Sequence, residues 1–165
     1  MIPKAELMAV AEEKGLLATT IEKDYVLGWT LFAIAGHAEL NAWYFKGGTC
    51  LKKCYFYTYR FSEYLDFTVP PGTPYDVTSI HGGLAAIAER VADEAGIAFP
   101  PEGIEVEESV NKRGHKTYEA RMTFVGPLQL ARAQRQRIRF DLTSDEIIVG
   151  PPKSRELFHG YSDAP

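Results

Sequence analysis

Two segments of the chain alternate polar and apolar side chains with a period of two: SEYLDFTV at residues 62–69 and QRIRFDL at residues 136–142. Successive side chains of a β-strand point to opposite faces of its sheet, so this pattern predicts two strands that each bury one face. In the first strand Ser62, Tyr64 and Asp66 share the polar face. The apolar faces need a covering layer, which restricts the fold to a sheet with a second layer packed on one side.

The covering layer is predicted to be helical. Apolar residues recur at helical spacing in residues 3–14, in residues from about 19 to 37, and in residues from about 78 to 94. Gly15 and Gly96 follow the first and the last of these segments and are typical helix stops. Thr19 and Glu22 have the spacing of a capping box, in which each side chain bonds the backbone N–H of the other residue.

Further strands are predicted at residues 43–45, 104–110, 115–125 and 146–149. Residues 104–110 and 115–125 flank Asn-Lys-Arg-Gly, which is typical of a hairpin turn. The predicted fold class is α+β, with a mixed β-sheet of about five strands and with N-terminal and flanking helices. A chain of 165 residues can build one substantial core, so residues 1–165 are interpreted as a single domain.

Composition excludes several classes of protein. No apolar run approaches the roughly 18 residues of a membrane span, and the N-terminus lacks the pattern of a signal peptide. The chain has two cysteines, Cys50 and Cys54, which lie too close together in sequence to staple distant parts of a fold. These features predict a cytoplasmic protein without a membrane partner.

Charge is unevenly distributed along the chain. Residues 111–139 contain eight basic side chains and one acidic side chain, Glu119, for a net charge of +7. The whole chain carries −4, so its remainder carries −11. Such asymmetry is typical of a surface that faces a polyanion, but it also fits a solvated hairpin whose charges protect a sheet edge from aggregation.

The segment FKGGT predicts a strand that ends at Gly47 and Gly48 and a new helix capped by Thr49. Glycines allow a backbone to approach a ligand closely, and the free N–H groups at a helix start favour anions. A tight strand-to-helix turn without any ligand explains the same residues.

Two carboxylates lie on the predicted strands. Asp66 is a charge on a strand that is otherwise aromatic and apolar, so it needs a cation, hydrogen bonds or solvent. Asp141 shares a strand face with Arg137 and Arg139, and an ion pair with one of these arginines is the alternative to a functional role.

Five blocks of the sequence together resemble the AbiEii/AbiGii nucleotidyltransferase toxins. These blocks are IEKDYVL, FKGGTCLKKCY, RFSEYLDF, RIRFDLT and LFHGYSD, and their order and spacing match over roughly residues 20–165. The toxins are similar to the wider polymerase-β-like nucleotidyltransferases. In that superfamily a Gly-Gly or Gly-Ser turn holds the nucleotide phosphates, and an Asp-x-Asp pair with a later Asp binds divalent metal.

The resemblance assigns roles to named residues. Asp66 would be the second Asp of the pair and Asp141 the later Asp, so both would be catalytic metal ligands for Mg²⁺. Gly47, Gly48 and Thr49 would contact the triphosphate. Lys46 and Arg60 flank the glycine turn and the strand and are further candidates for binding the nucleotide, as is Ser62. Family members continue beyond the block LFHGYSD into a basic helical region, so the resemblance implies that part of the substrate-binding surface lies outside these 165 residues.

Tyr64 departs from the family pattern, because it stands where the pair has its first Asp. A neutral phenol is a poor ligand for Mg²⁺, which prefers carboxylate and other oxygen ligands in near-octahedral geometry. Glu63 cannot replace the missing Asp, since it points to the opposite face of a regular strand. Tyr64 is therefore a change that silences a toxic enzyme, a drift to a non-catalytic protein, or a group that stacks on a nucleotide or accepts one.

The function implied by the resemblance is that of a toxin in a toxin–antitoxin or abortive-infection system. Such an enzyme transfers a nucleotidyl group from an NTP to an acceptor, with Mg²⁺ as cofactor, an RNA such as tRNA as the expected acceptor, and a cognate antitoxin as the expected protein partner. The alternative is a non-catalytic module that keeps the fold and binds a nucleotide or a partner.

Overall fold

The computed structural model describes residues 1–56 and 63–163, and within them the chain forms four α-helices and a five-stranded sheet. The helices are α1 (Lys4–Lys14), α2 (Ala18–Ala35), α3 (Gly47–Cys54) and α4 (Val77–Ala95). The strands are β1 (Tyr44–Lys46), β2 (Tyr64–Thr68), β3 (Ile104–Val110), β4 (Lys116–Thr123) and β5 (Arg137–Thr143). The predicted α+β class is confirmed. None of the described helices has the length and apolarity needed to cross a bilayer.

The sheet has the order β1-β2-β5-β4-β3 and is mixed. Strands β2 and β5 are parallel neighbours, whereas the other adjacent pairs are antiparallel. Parallel neighbours need a crossover connection, and the chain between β2 and β5 provides it through α4, after which β3 and β4 form the far side of the same sheet. This crossover brings the two strands that carry the predicted carboxylates side by side.

One face of the sheet forms the core. In β5 the side chains of Ile138, Phe140 and Leu142 are buried, and they alternate with exposed arginine and aspartate side chains as predicted. Helices α2 and α4 contact each other and cover this apolar face. Helix α4 is capped by Asp76, whose carboxylate accepts a 3.0 Å hydrogen bond from the backbone N–H of Ser79. The polar side chains of the strands consequently lie on the opposite face.

The predicted capping box at Thr19 is wrong. Helix α2 begins at Ala18, and Glu22 is buried rather than folded back on the helix start. The Glu22 carboxylate accepts hydrogen bonds from the backbone N–H of Leu128 at 2.7 Å and from the Gln136 side chain at 2.8 Å. Tertiary contacts with a distant loop therefore use the carboxylate that the local pattern assigned to a cap.

Two other local predictions are also wrong. Helix α3 begins at Gly47, so Thr49 lies inside the helix and its hydroxyl donates to the backbone carbonyl of Tyr64 instead of capping. The sequence pattern predicts a strand at residues 146–149, but these residues belong to no strand of the structure. The Glu146 side chain instead reaches back to Lys46 and Thr68, which holds this segment beside β1 without ladder hydrogen bonds.

Residues 157–163, which we call the C-terminal clasp, fasten the helices to one another. Tyr161 donates a 3.0 Å hydrogen bond to the carboxylate of Asp24 on α2. The backbone and hydroxyl of Ser162 both bond Glu6 on α1, and the backbone N–H of Phe158 bonds the carbonyl of Lys53 on α3. The clasp thus links the C-terminal end of the described chain to α1, α2 and α3.

Beneath the clasp lies a buried ion-pair cluster centred on Asp24. Its carboxylate accepts from Lys52 Nζ at 2.5 Å and from Lys53 Nζ at 3.0 Å. Lys53 has only 2% of its surface exposed and also donates to the backbone carbonyl of Asp24. A buried ammonium is tolerated only when it is paired, so the contacts of Lys53 and Lys52 with Asp24 join α3 to α2.

Candidate active site

The turn between β1 and α3 is built around Gly47. This residue has a φ of +72°, a conformation that side-chain-bearing residues rarely adopt. A Cβ placed on Gly47 would overlap Oδ2 of Asp66 on the neighbouring strand. The glycine is therefore required both by its backbone conformation and by the close approach of the Asp66 carboxylate, which joins two of the sequence blocks into one site.

Replacing Gly47 with alanine tests this packing. We expect a loss of roughly 1–2 kcal/mol of stability from the left-handed backbone, together with displacement of the Asp66 carboxylate. Gly114→Ala is the matched control, because Gly114 has a φ of +83° but no atom within 4 Å of the added Cβ. Urea unfolding should show similar losses in both variants, whereas the magnesium-dependent nucleotide binding that the resemblance implies should fall only in Gly47→Ala. Equal binding by the two variants would contradict the assignment.

Asp66 and Asp141 are direct partners in the parallel ladder between β2 and β5. Neighbouring strands are roughly 4.8 Å apart, so the two carboxylates on the same face share a common space. Burial raises the pKa of Asp66, and the charge of Asp141 raises it further. Burial and the charge of Glu119 likewise raise the pKa of Asp141. A bound cation would relieve this burial of negative charge beside other carboxylates.

A row of charged residues crosses all five strands at this level. The strand registers place Lys46, Asp66, Asp141, Glu119 and Glu107 next to one another, one residue from each strand. Glu119 was treated in the sequence only as the acid within a basic segment. Its alignment with Asp141 follows from the register of β4 against β5, which the alternation within either strand alone cannot define.

Lys46 lies at the β1 end of this row but is already paired. Its ammonium group bonds the Glu146 carboxylate and the Thr143 hydroxyl, the latter at 2.9 Å. Glu146 also accepts from the Thr68 hydroxyl at 2.5 Å, and these contacts hold the pKa of Glu146 below its usual value. Sequence reasoning did not identify Glu146, because the pattern around it predicted a strand. Phosphate binding by Lys46 therefore requires this ammonium to be shared with Glu146.

Tyr64 contacts Arg139 on the polar face. The guanidinium of Arg139 donates a 2.6 Å hydrogen bond to the Tyr64 hydroxyl and lies 5.4 Å from the centre of its ring. The strand register confirms the prediction that residues 64 and 66 share a face, since Tyr64 is paired with Arg139 and Asp66 with Asp141. An aromatic side chain and a cation thus occupy the level of the sheet next to the two carboxylates.

Asp66 and Asp141 are suited to hold a magnesium ion that is also bound by the phosphates of a substrate. Within residues 1–56 and 63–163 no three or more His, Cys, Asp or Glu residues are arranged to hold a metal. Mg²⁺ in nucleotide sites is commonly bound through one or two carboxylates together with substrate phosphates. Asp66 and Asp141 fit that arrangement, since burial and neighbouring carboxylates raise the pKa of each while Lys46 offsets only part of that effect.

The remaining nucleotide-binding candidates are distributed as follows. Gly48 is the second residue of α3, where its position at a helix start suits an anion. Thr49 is buried and its hydroxyl is engaged by the Tyr64 carbonyl, so its side chain does not reach the sheet face. Arg60 and Ser62 lie outside the described residues.

Most basic side chains of residues 111–139 form ion pairs with neighbouring acids. Arg121 on β4 pairs with Glu119 at 2.8 Å and with Glu107 at 3.3 Å. Other pairs are Lys116 with Glu108, Arg113 with Asp145, and Arg137 with Glu105. Because β3 supplies most of these acids, the sheet edge that it forms is not a basic surface.

Comparison with known proteins agrees with the resemblance noted in the sequence. The family model described as nucleotidyl transferase AbiEii toxin, type IV toxin–antitoxin system, matches residues 29–165. The matched range includes the Gly47 turn, both aspartate strands and the C-terminal clasp, and it begins after the block IEKDYVL. No curated protein matches the chain.

Proposed function

The chain belongs to the AbiEii family of nucleotidyl transferase toxins of type IV toxin–antitoxin systems, and on this premise we propose that it binds a magnesium–NTP complex at Asp66 and Asp141. In this proposal the nucleotidyl group passes to an RNA acceptor. The transfer is slow, because Tyr64 stands where the family has a metal-binding Asp. The acceptor hydroxyl forms a bond to the α-phosphorus, the bond to pyrophosphate breaks, and the hydroxyl proton passes to solvent.

The observation that carries the proposal is the meeting of three sequence blocks at one point. Asp66 abuts Gly47 at the start of α3, and Asp141 is its direct ladder partner. The free N–H groups of the first turn of α3 suit phosphate oxygens, while the two carboxylates suit a cation that those oxygens also bind. The turn and the aspartates therefore supply complementary halves of a site for a metal-bound triphosphate.

The residues of the chain would act mainly by positioning charge. Asp66 and Asp141 would hold Mg²⁺, which when bound neutralises the charge that develops between the acceptor oxygen and the pyrophosphate. Lys46 would exchange part of its contact with Glu146 for a phosphate oxygen. Arg139 lies beside Asp141 on β5 and bonds Tyr64, so it is placed to hold the phenol against the same face.

The biological setting of the proposal follows from the family. A toxin of this kind implies a cognate antitoxin, and it would act in the cytoplasm, where NTPs and RNA are available. RNA remains the proposed acceptor because of the family resemblance, although the ion pairs of Arg121 and Lys116 remove the support that the basic segment gave.

A second function is favoured by the contact between Tyr64 and Arg139. An ordered phenol in place of a carboxylate leaves the centre with two acidic ligands, which suits a protein that binds a nucleotide or a partner without turnover. Nucleotidyl transfer and binding without turnover both require the fold, but only transfer makes modified acceptor accumulate. Counting product per chain in a transfer assay separates them.

Calorimetric titration of NTP tests the proposed site directly. The unmodified chain should bind NTP in the presence of Mg²⁺ and lose that binding when Mg²⁺ is chelated. Asp141→Asn should reduce the magnesium-dependent affinity by at least about 10-fold, since it removes one of two proposed metal ligands.

Glu107→Gln is the matched control for that titration. It removes the same charge from the same row of the sheet, but two strands away from Asp141, and should leave the affinity unchanged. Circular dichroism would confirm that both variants fold. Binding that is independent of Mg²⁺, or insensitive to Asp141→Asn, would exclude the proposed metal site.

A further inference from the structure

A groove runs along the outer edge of β1. It has a volume of about 970 Å³, within the roughly 300–1,000 Å³ range of small-molecule sites. It is lined by β1, the end of α2, two residues of α3 and residues between 146 and 157. Because β1 is the last strand of the sheet, its outer backbone groups have no ladder partner within the described part of the chain.

The walls of the groove combine aromatic rings with cations. Trp43, Tyr44, Phe45 and Tyr55 line it, together with Lys153 and Arg155. The guanidinium of Arg155 lies 5.0 Å from the ring centre of Tyr55, and 43% of Tyr55 is exposed. Flat aromatic and guanidinium surfaces are the groups on which nucleobases stack.

Trp43 places a buried polar group in the wall of this groove. Only 5% of its surface is exposed, and its indole Nε1–H is buried without a hydrogen-bond partner in the described residues. An unpaired buried donor costs about 1–3 kcal/mol, so such groups in folded proteins call for an explanation. A ring nitrogen or carbonyl oxygen of a base would accept this hydrogen bond.

The groove is continuous with the candidate active site. Lys46, Thr68 and Glu146 line the groove, and Lys46 is also the register partner of Asp66. Lys46 immediately precedes Gly47, where the triphosphate is proposed to bind. A nucleotide whose phosphates lie at that turn therefore has its nucleoside next to the mouth of the groove.

We propose that the groove along β1 is the nucleoside subsite, in which the base of the NTP stacks on the platform formed by Tyr55 and Arg155. This inference rests on the proposed function. The outer backbone groups of β1 and the Trp43 N–H offer hydrogen bonds to the edge of the base, while the platform offers a stacking surface. The groove then determines which base is accepted, and the Gly47 turn holds the phosphates that all NTPs share.

Comparing each of the four NTPs with inorganic tripolyphosphate, all with Mg²⁺, tests the subsite on the full chain. For each NTP, the ratio of its affinity to that of tripolyphosphate measures how much the nucleoside contributes to binding. Tyr55→Ala should reduce the NTP affinity by about tenfold, since stacking on an aromatic side chain is worth roughly 1–3 kcal/mol per base. Its affinity for tripolyphosphate should not change. Phe56→Ala is the control, because Phe56 is adjacent and 55% exposed but does not line the groove.

Trp43→Phe removes the indole N–H while keeping an aromatic ring, and it should also lower the NTP affinity without affecting tripolyphosphate. Trp29→Phe is its control, since Trp29 is equally buried and its Nε1–H also has no partner in the described residues, but it does not line the groove. If Tyr55→Ala and Trp43→Phe leave the ratio unchanged, the subsite is elsewhere and the proposed function stands. If the unmodified chain binds neither ligand, both the proposed function and the subsite are wrong.

Discussion

Replacing Tyr64 with aspartate is expected to raise the rate of nucleotidyl transfer by about 10- to 100-fold. The change adds a carboxylate on the face shared by Asp66 and Asp141, and altered support of a metal site typically changes activity by that factor. It also removes the phenol to which Arg139 is bonded. The measurement is incorporation of an NTP, radiolabelled at its α-phosphate, into total RNA in the presence of Mg²⁺.

Tyr64→Asn is the control for this gain, because it has nearly the same shape as the aspartate variant but no charge. If both variants gain equally, removal of the phenol rather than addition of a ligand is responsible. Tyr64→Asp without any increase over the unmodified chain, while magnesium-dependent NTP binding persists, would favour the non-catalytic function. Tyr64 is partly exposed, so neither variant is expected to unfold the chain.

Replacing Asp24 with asparagine is expected to destabilise the fold by about 3–5 kcal/mol. The change leaves Lys53 buried without its charged partner, and removing one member of a buried ion pair typically costs that much. It also weakens the bond from Tyr161, so the C-terminal clasp should loosen. Urea unfolding measures the loss of stability, and hydrogen exchange in residues 157–163 reports on the clasp.

Glu63→Gln is the matched control, since it removes the ion pair between Lys23 and the exposed Glu63. Exposed pairs are worth about 0–1 kcal/mol, so this variant should unfold almost as the unmodified chain does. Equal losses in the two variants would show that the Asp24 cluster is not the link between α2 and α3.

The contribution of Asp24 should also depend on pH. Burial alone would raise the pKa of Asp24, but the ammonium groups of Lys53 and Lys52 outweigh burial and hold the pKa below its usual value. A carboxyl group with a lowered folded pKa stabilises the fold above its unfolded pKa of about 3.9, and that stability is lost as pH falls through the folded pKa. The difference between Asp24→Asn and the unmodified chain should therefore shrink below about pH 4.

The alternation of β2 and β5 was sufficient to predict two strands with one polar and one apolar face. It placed Asp66 and Asp141 on polar faces correctly, because side-chain direction in a strand depends only on a local period of two. The helix stop at Gly15 was also predicted correctly, because a left-handed residue after the last turn is a local requirement.

The roles of Glu22, Thr49 and Glu146 could not be predicted from local patterns. Each side chain bonds a partner distant in sequence: Glu22 bonds Leu128, Thr49 bonds the Tyr64 carbonyl, and Glu146 bonds Lys46. Local rules assigned the first two to helix caps and the third to a strand. A polar side chain that finds a tertiary partner no longer needs the local bond that its sequence position suggests.

The sequence by itself predicted Asp66 and Asp141 as site residues, and it determined the face of the sheet on which these two aspartates lie. Only the tertiary structure decided that Asp66 rests against Gly47, that Glu119 joins the same row, and that Lys46 is shared with Glu146. It also decided that glutamates of β3 form ion pairs with the basic segment and that a groove runs along β1. The physical reason is that strand order and register are set by packing between segments far apart in the chain, whereas the direction of a side chain is set by its immediate neighbours.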